Sequence, residues 1–81
     1  MKAHYTPEFR DALEKFPEEI RKKLYQKVKY LLNDIRHPSL RTKKYGGAEN
    51  IWQARVDINI RFYFKIEGEY YILLNITKHP K

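Results

Sequence analysis

The sequence has no cysteine. That excludes a disulfide framework, a thiolate metal site and a cysteine nucleophile, and it suits a reducing compartment such as the cytosol. No apolar run approaches the roughly 20 residues that a bilayer-crossing helix needs. The opening "MKAHYTPEFR" lacks the apolar stretch of a secretion signal. A cytoplasmic protein without membrane contact is expected. No P-loop, dinucleotide fingerprint or serine-nucleophile signature occurs. His4 and His37 lie in separate segments, with no spacing that suggests a metal site, so neither metal nor cofactor is expected. Acidic residues are also few: ten against 17 Lys and Arg, a net charge of +7. Such an excess favours an anionic partner, whether nucleic acid, an acidic protein or a membrane surface.

What is present is enough for one small core. The 81 residues are 42% hydrophobic, with seven Tyr, four Phe and one Trp. They make a single domain, residues 1–81, that buries about 60% of its unfolded surface. "KAHYT" (Lys2 to Thr6) reads as a short strand. Thr6 and Pro7 then start a helix, with Thr6 as cap, Pro7 at the first helical position and Glu8 at the positive helix end. Phe9, Leu13 and Phe16 share one face of it. Pro17 closes that helix and opens the next, whose apolar stripe is Ile20, Leu24, Val28, Leu31, Leu32 and Ile35. The opposite face carries Arg21, Lys22, Lys23, Lys27 and Lys29. His37-Pro38 is expected to end this helix, and "SLRTKKYGG" to follow as a basic, flexible loop.

The last third alternates in the manner of strands. "NIWQARV", "IRFYFKI" and "YYILLNITKH", separated by "DIN" and "EGE", describe a three-stranded antiparallel meander. The fold class is therefore α+β: a short N-terminal strand, two helices, then the meander, with the helices on one face of one sheet. Parity assigns the faces. Even positions (Trp52, Ala54, Val56, Ile60, Phe62, Phe64, Ile66, Tyr70, Ile72, Leu74, Ile76) are expected in the core. Odd positions (Gln53, Arg55, Arg61, Tyr63, Lys65, Tyr71, Leu73, Asn75, Thr77, His79) are expected on an open face. A three-residue loop Asp57-Ile58-Asn59 pairs Val56 with Ile60 and sets Arg55 opposite Arg61, and "EGE" pairs Arg61 with Asn75. Like charges directly opposite destabilise a sheet. An anion seated between the arginines relieves that repulsion; pairing with Glu49, Asp57 or the terminal carboxylate is the structural alternative. Tyr63 and Tyr71 could stack bases or simply pack across strands.

The order strand, helix, helix, meander, with "HPSLRTKKYGG", "IWQARV", "IRFYFKI" and "NITKHPK", resembles the RelE/ParE superfamily of toxin–antitoxin toxins over nearly the whole chain. The resemblance implies roles residue by residue. Arg61 falls at the arginine of the RelE, YoeB and YafQ branches that contacts the scissile phosphate. Arg55 falls at a catalytic lysine of RelE, and His79 at the histidine that serves YoeB and YafQ as general acid. Gln53 occupies a further RelE lysine position, and "HPK" lacks the tyrosine many members carry shortly after the histidine. Lys43 and Lys44 lie in the loop that approaches RNA in relatives. The expected catalytic set is thus Arg55, Arg61 and His79, and the expected RNA contacts are Lys43, Lys44, Gln53, Tyr63 and Lys78. The implied activity is metal-independent cleavage of mRNA, ribosome-dependent and inhibiting translation. The implied partners are a cognate antitoxin, mRNA and the ribosome, with operator DNA reached through the antitoxin complex. A ParE-like inhibitor of DNA gyrase and an inactive basic interaction module are the alternatives within the same fold.

Overall fold

A computed structural model describes residues 1–45 and 50–78. Its elements are β1 (Lys2–Tyr5), α1 (Pro7–Glu14), α2 (Glu18–Asn33), a 3-10 turn (Pro38–Leu40), β2 (Lys43–Lys44), β3 (Ile51–Asp57), β4 (Ile60–Glu67) and β5 (Tyr70–Lys78). The five strands form one mixed sheet in the order β1-β5-β4-β3-β2, with β1 parallel to β5 and every other pair antiparallel. The α+β class and the meander stand. Two features go beyond the expected arrangement: β1 closes the sheet by pairing in parallel with the last strand, and the basic loop contributes the fifth strand. β2 is too short to leave an alternating pattern in the sequence.

The start signals of α1 act as read, but the helix stops at Glu14, so Phe16 lies beyond it and Pro17 does not close it. Thr6 Oγ1 accepts from the Phe9 N–H at 3.1 Å, capping α1, a bond worth about 1 kcal/mol. The same hydroxyl donates to the Leu73 carbonyl at 2.7 Å, fastening the helix start to β5. Phe9 and Leu13 of α1, with Leu24, Val28 and Leu31 of α2, are buried against the sheet. At full burial, each such side chain contributes about 1.5–3 kcal/mol. α2 stops at Asn33, short of the proline expected to end it, because Asp34 takes an extended backbone (φ −163°, ψ 112°). Ile35 therefore packs on the core from the connection, and Leu32 is 39% exposed. His37 does not end α2. It caps the 3-10 turn, accepting at Nδ1 from the Ser39 N–H at 3.2 Å, with its ring stacked on Tyr30 at 4.0 Å.

The sheet's inner face matches the even-numbered expectation in β3 and β4. Ala54, Val56, Ile60, Phe62 and Phe64 are buried, and Ile76 joins them from β5. The first half of β5 does not match. Tyr63 pairs with Asn75, but Phe64 pairs with Leu73, so Leu74 is an extra residue on β5. A bulge of this kind moves every preceding side chain to the opposite face. Tyr71 and Leu73 are consequently core, and Tyr71 packs edge-on against Phe64 at 5.5 Å. Tyr70, Ile72 and Leu74 turn away from the core, and Tyr70 is 44% exposed. Tyr71 is therefore not a base-stacking candidate.

Candidate functional site

Arg55 and Arg61 are direct cross-strand partners. The loop that sets them there is not the expected one. Asp57 pairs with Ile60 across a two-residue turn, Ile58-Asn59, and Val56 is the extra residue of a bulge on β3. One residue fewer in the turn and one more in the strand leave the arginine pairing unchanged. The bulge also aims Asp57 toward the helices, since it shares its side of the sheet with buried Ile60. Its carboxylate lies 3.9 Å from Lys23 Nζ on α2, and it accepts from the Asn59 N–H at 2.9 Å. The Asp57 side chain is thereby removed from the arginines. Glu49 lies outside the described residues.

Arg61 is anchored by its own turn. Its Nη1 donates to the carbonyls of Asp57 at 2.8 Å, Ile58 at 3.2 Å and Ile60 at 3.2 Å. Since a guanidinium carries five N–H donors in a planar fork, fixing Nη1 orients Nη2 and Nε. Arg55 stands in a more hostile place. Its Nε is buried and finds no acceptor among the described residues. Its guanidinium is held below the ordinary arginine pKa, first by lost hydration and then by the charges of Arg41 and Arg61. Arg41 follows the 3-10 turn in a left-handed backbone conformation (φ 46°), uncommon for a residue other than glycine. Lys27 of α2 belongs to the same cationic neighbourhood. Its ammonium pKa is lowered by desolvation, then by Arg55 and Lys23, against a raising effect of Asp57. Neither Arg55 nor Arg61 forms an ion pair with a described carboxylate.

Register places the remaining expected residues. Tyr63 lies two residues beyond Arg61 on the same face, and Thr77 is the direct partner of Arg61, replacing the expected Asn75. Lys43 is opposite Gln53 on that face and exposed. Gln53 shares the face but is only 5% exposed, so it offers no surface to a ligand. Parity alone does not show this, because β2, which pairs along that edge of β3, is too short to leave a pattern in the sequence. Lys44 and Lys78 are not brought to the arginines. Lys44 pairs with Trp52 on the helix side, its Nζ 5.5 Å from the Trp52 ring centroid, and Lys78 pairs with buried Ile60. His79 lies outside the described residues, as do the glycines of the basic loop. Two residues absent from the expected set now belong to the site. Tyr45 meets Tyr63 edge-to-face at 5.0 Å, and Asn75 pairs with Tyr63 across β5.

No family model and no curated protein sequence matches this chain. Solved structures do. A YoeB/ParE toxin from Agrobacterium tumefaciens superposes with a TM-score of 0.82 over 99% of this chain and 100% of that one, at 15% identity. The YoeB dimer from Staphylococcus aureus gives 0.83 over 99% and 98%, at 10% identity. The RelB–RelE antitoxin–toxin complex from Methanococcus jannaschii gives 0.76 over 93% and 88%, at 21% identity. The chain therefore has the fold of the RelE and YoeB toxins of toxin–antitoxin systems. At these identities the likeness is one of fold; what the residues do rests on the geometry above. Among the described residues, no helix is long and apolar enough to cross a membrane.

Proposed function

We propose that this chain is the toxin of a toxin–antitoxin pair: a metal-independent endoribonuclease that cuts mRNA on the ribosome in the cytoplasm and so inhibits translation. The observation that best supports this reading is the opposition of Arg55 and Arg61 on one sheet face of a RelE/YoeB fold, with no described carboxylate paired to either. Two opposed cations without a counter-ion cost stability, and a phosphodiester removes that cost. The reaction is attack of the ribose 2′-oxygen on the adjacent phosphorus. The phosphorus–O5′ bond breaks, leaving a 2′,3′-cyclic phosphate and a 5′-hydroxyl. The pentacoordinate intermediate carries extra negative charge on its non-bridging oxygens. Arg61, held by its turn, and Arg55 donate to those oxygens; loss of one such donor raises the barrier by about 3–4 kcal/mol. His79 is the proposed acid for the departing O5′, since imidazole titrates near neutral pH. The described part of this face offers no general base, which suits a reaction completed only when ribosomal RNA sets the geometry.

Lys43 and Tyr63 are the proposed RNA contacts among the described residues. The proposed antitoxin carries an acidic segment that covers the basic face or the helices, folding as it binds. Operator DNA would be reached only through that complex. The test is cutting of mRNA in a translating extract, with Arg61→Ala and His79→Ala expected to abolish it while thermal melts stay cooperative. One observation favours a second reading. The three carbonyls bound by Arg61 Nη1 give that residue a structural role, as a ParE-like gyrase inhibitor without nuclease chemistry would need. Gyrase-dependent DNA breaks with mRNA left intact would establish it instead.

A further inference from the structure

We infer that the cleft beside the arginine pair is a base-recognition slot, in which Asn75 selects guanine, through its O6, or uracil, through its O4, over adenine or cytosine. The inference builds on the proposed RNA substrate. The cleft has a volume of about 460 Å³ and is lined by Tyr45, Ile51, Tyr63, Leu74, Asn75 and Thr77. It adjoins the proposed phosphate site, because Thr77 is the direct partner of Arg61 and Asn75 that of Tyr63. Residues two apart on one strand face stand about 7 Å apart, a reach comparable with that from a phosphate to the base beside it. A phosphate at Arg61 therefore brings a flanking base to Tyr63.

The walls suit a base. Tyr45 and Tyr63 meet at 62° with ring centroids 5.0 Å apart, forming an aromatic corner. Unstacked RNA bases are commonly received on such side chains. Tyr45 is held in place by its backbone N–H, which donates to the Ile51 carbonyl at 2.7 Å, although the residue is 53% exposed. Ile51 and Leu74 supply apolar sides.

The selectivity follows from one hydrogen bond. The Ile76 N–H donates to Asn75 Oδ1 at 2.9 Å. A backbone N–H requires an oxygen, so this bond fixes the amide: Oδ1 faces the strand and the NH₂ group faces away. Guanine O6 and uracil O4 accept from such a donor, whereas adenine N6 and cytosine N4 bring a second donor against it. Asparagine is a poor strand residue, and this one is exposed inside β5. The Leu74 bulge immediately before it is the kind of feature that re-aims a side chain beside a site.

The test uses short RNAs carrying a 2′-deoxy at the attacking position, so that they bind without being cut, and differing only in the base 3′ or 5′ to that phosphate. At one of these two positions, wild-type protein should bind the guanine and uracil forms about fivefold tighter than the adenine and cytosine forms. Asn75→Asp keeps an oxygen for Ile76 and replaces the donor with an acceptor. It should weaken all four through its charge yet reverse their order. Tyr63→Leu should weaken all four about tenfold and leave the order alone. Equal affinities at both positions, or an order that Asn75→Asp leaves unchanged, would overturn the slot, as would a cleft that serves a protein strand instead. Cutting is scored separately. No cutting with the base order intact removes the nuclease chemistry and keeps the slot, while cutting with a flat order does the reverse.

Discussion

The outer face of the sheet has two ends that treat their cations differently, and the Leu74 bulge lies between them. At one end Arg55 faces Arg61, with Arg41 close enough to disfavour the Arg55 charge further and no described acid paired to either partner. At the other end Lys65 lies 3.7 Å from Glu67, both partly exposed, beside the apolar side chains of Ile72 and Leu74. The net charge is thus not spread evenly. The second end looks like an ordinary protein surface, where an exposed ion pair contributes at most about 1 kcal/mol. The first holds charge where a fold optimised only for stability would not, and a local excess of this kind is what an anionic ligand needs. Asp57 makes the contrast sharper: it is next to the arginines in the chain, yet the β3 bulge directs its carboxylate to α2.

The contrast can be broken outright by deleting Leu74. Without the extra residue, β5 must present either Tyr71 and Leu73 or Ile76 on the wrong side of the sheet, so the expected result is loss of the cooperative melting transition. Next in size, Arg61→Ala should lower the rate of mRNA cutting by several hundredfold, about 3–4 kcal/mol, and should also loosen the β3–β4 turn, seen as faster amide exchange at Ile58 and Asn59. Arg55→Met sharpens the comparison by moving stability and activity in opposite directions: the melting temperature should rise as the repulsion disappears, and cutting should be lost. An alkaline titration probes the core beneath the second end. Burial first, and the Asp34 charge second, raise the Tyr71 phenol above its ordinary pKa; burial and Tyr25 do the same for Tyr5. A group whose folded pKa is raised stabilises fully below its unfolded pKa, about 10, and that stability is lost as pH rises through the folded value. Urea midpoints should therefore hold steady up to about pH 10 and fall above it, less steeply in Tyr71→Phe. Smallest of all, Glu67→Gln should change stability by no more than about 0.5 kcal/mol and leave cutting untouched.

The same two ends mark where the sequence could be read. Alternation from Trp52 to Ile66 is unbroken, so the core side of β3 and β4 and the meeting of Arg55 with Arg61 were legible. The arginine pairing held although the turn was a residue shorter than expected, because the bulge at Val56 restored the count. In β5 the run "YYILLNI" is apolar at both parities, and nothing in it marks Leu74 as extra. Parity therefore puts Tyr71 on the open face and pairs Asn75 with Arg61, whereas the two-residue turn Gly68-Glu69, followed by the bulge, buries Tyr71 and sets Asn75 opposite Tyr63. The burial of Gln53 depends on β2, two lysines with no pattern to announce a strand. The sequence does not mark Asn75 as a recognition residue, because its meaning lies in the direction of its amide, which only the bond to Ile76 reveals. The helices are readable from the Thr6 cap and the apolar stripes, but both end before the prolines expected to close them, α1 at Glu14 and α2 on a backbone change at Asp34.

The parallel pairing of β1 with β5 joins residues such as Lys2 and Tyr70 that lie 68 positions apart in the chain. Contacts of such separation form late in folding, after a large loop-closure cost. During vectorial synthesis the first strand leaves the exit tunnel with no neighbour on either edge, and Thr6 waits for Leu73 before its hydroxyl can fasten α1 to the sheet. A nascent copy therefore cannot close its sheet until β5 has cleared the tunnel as well.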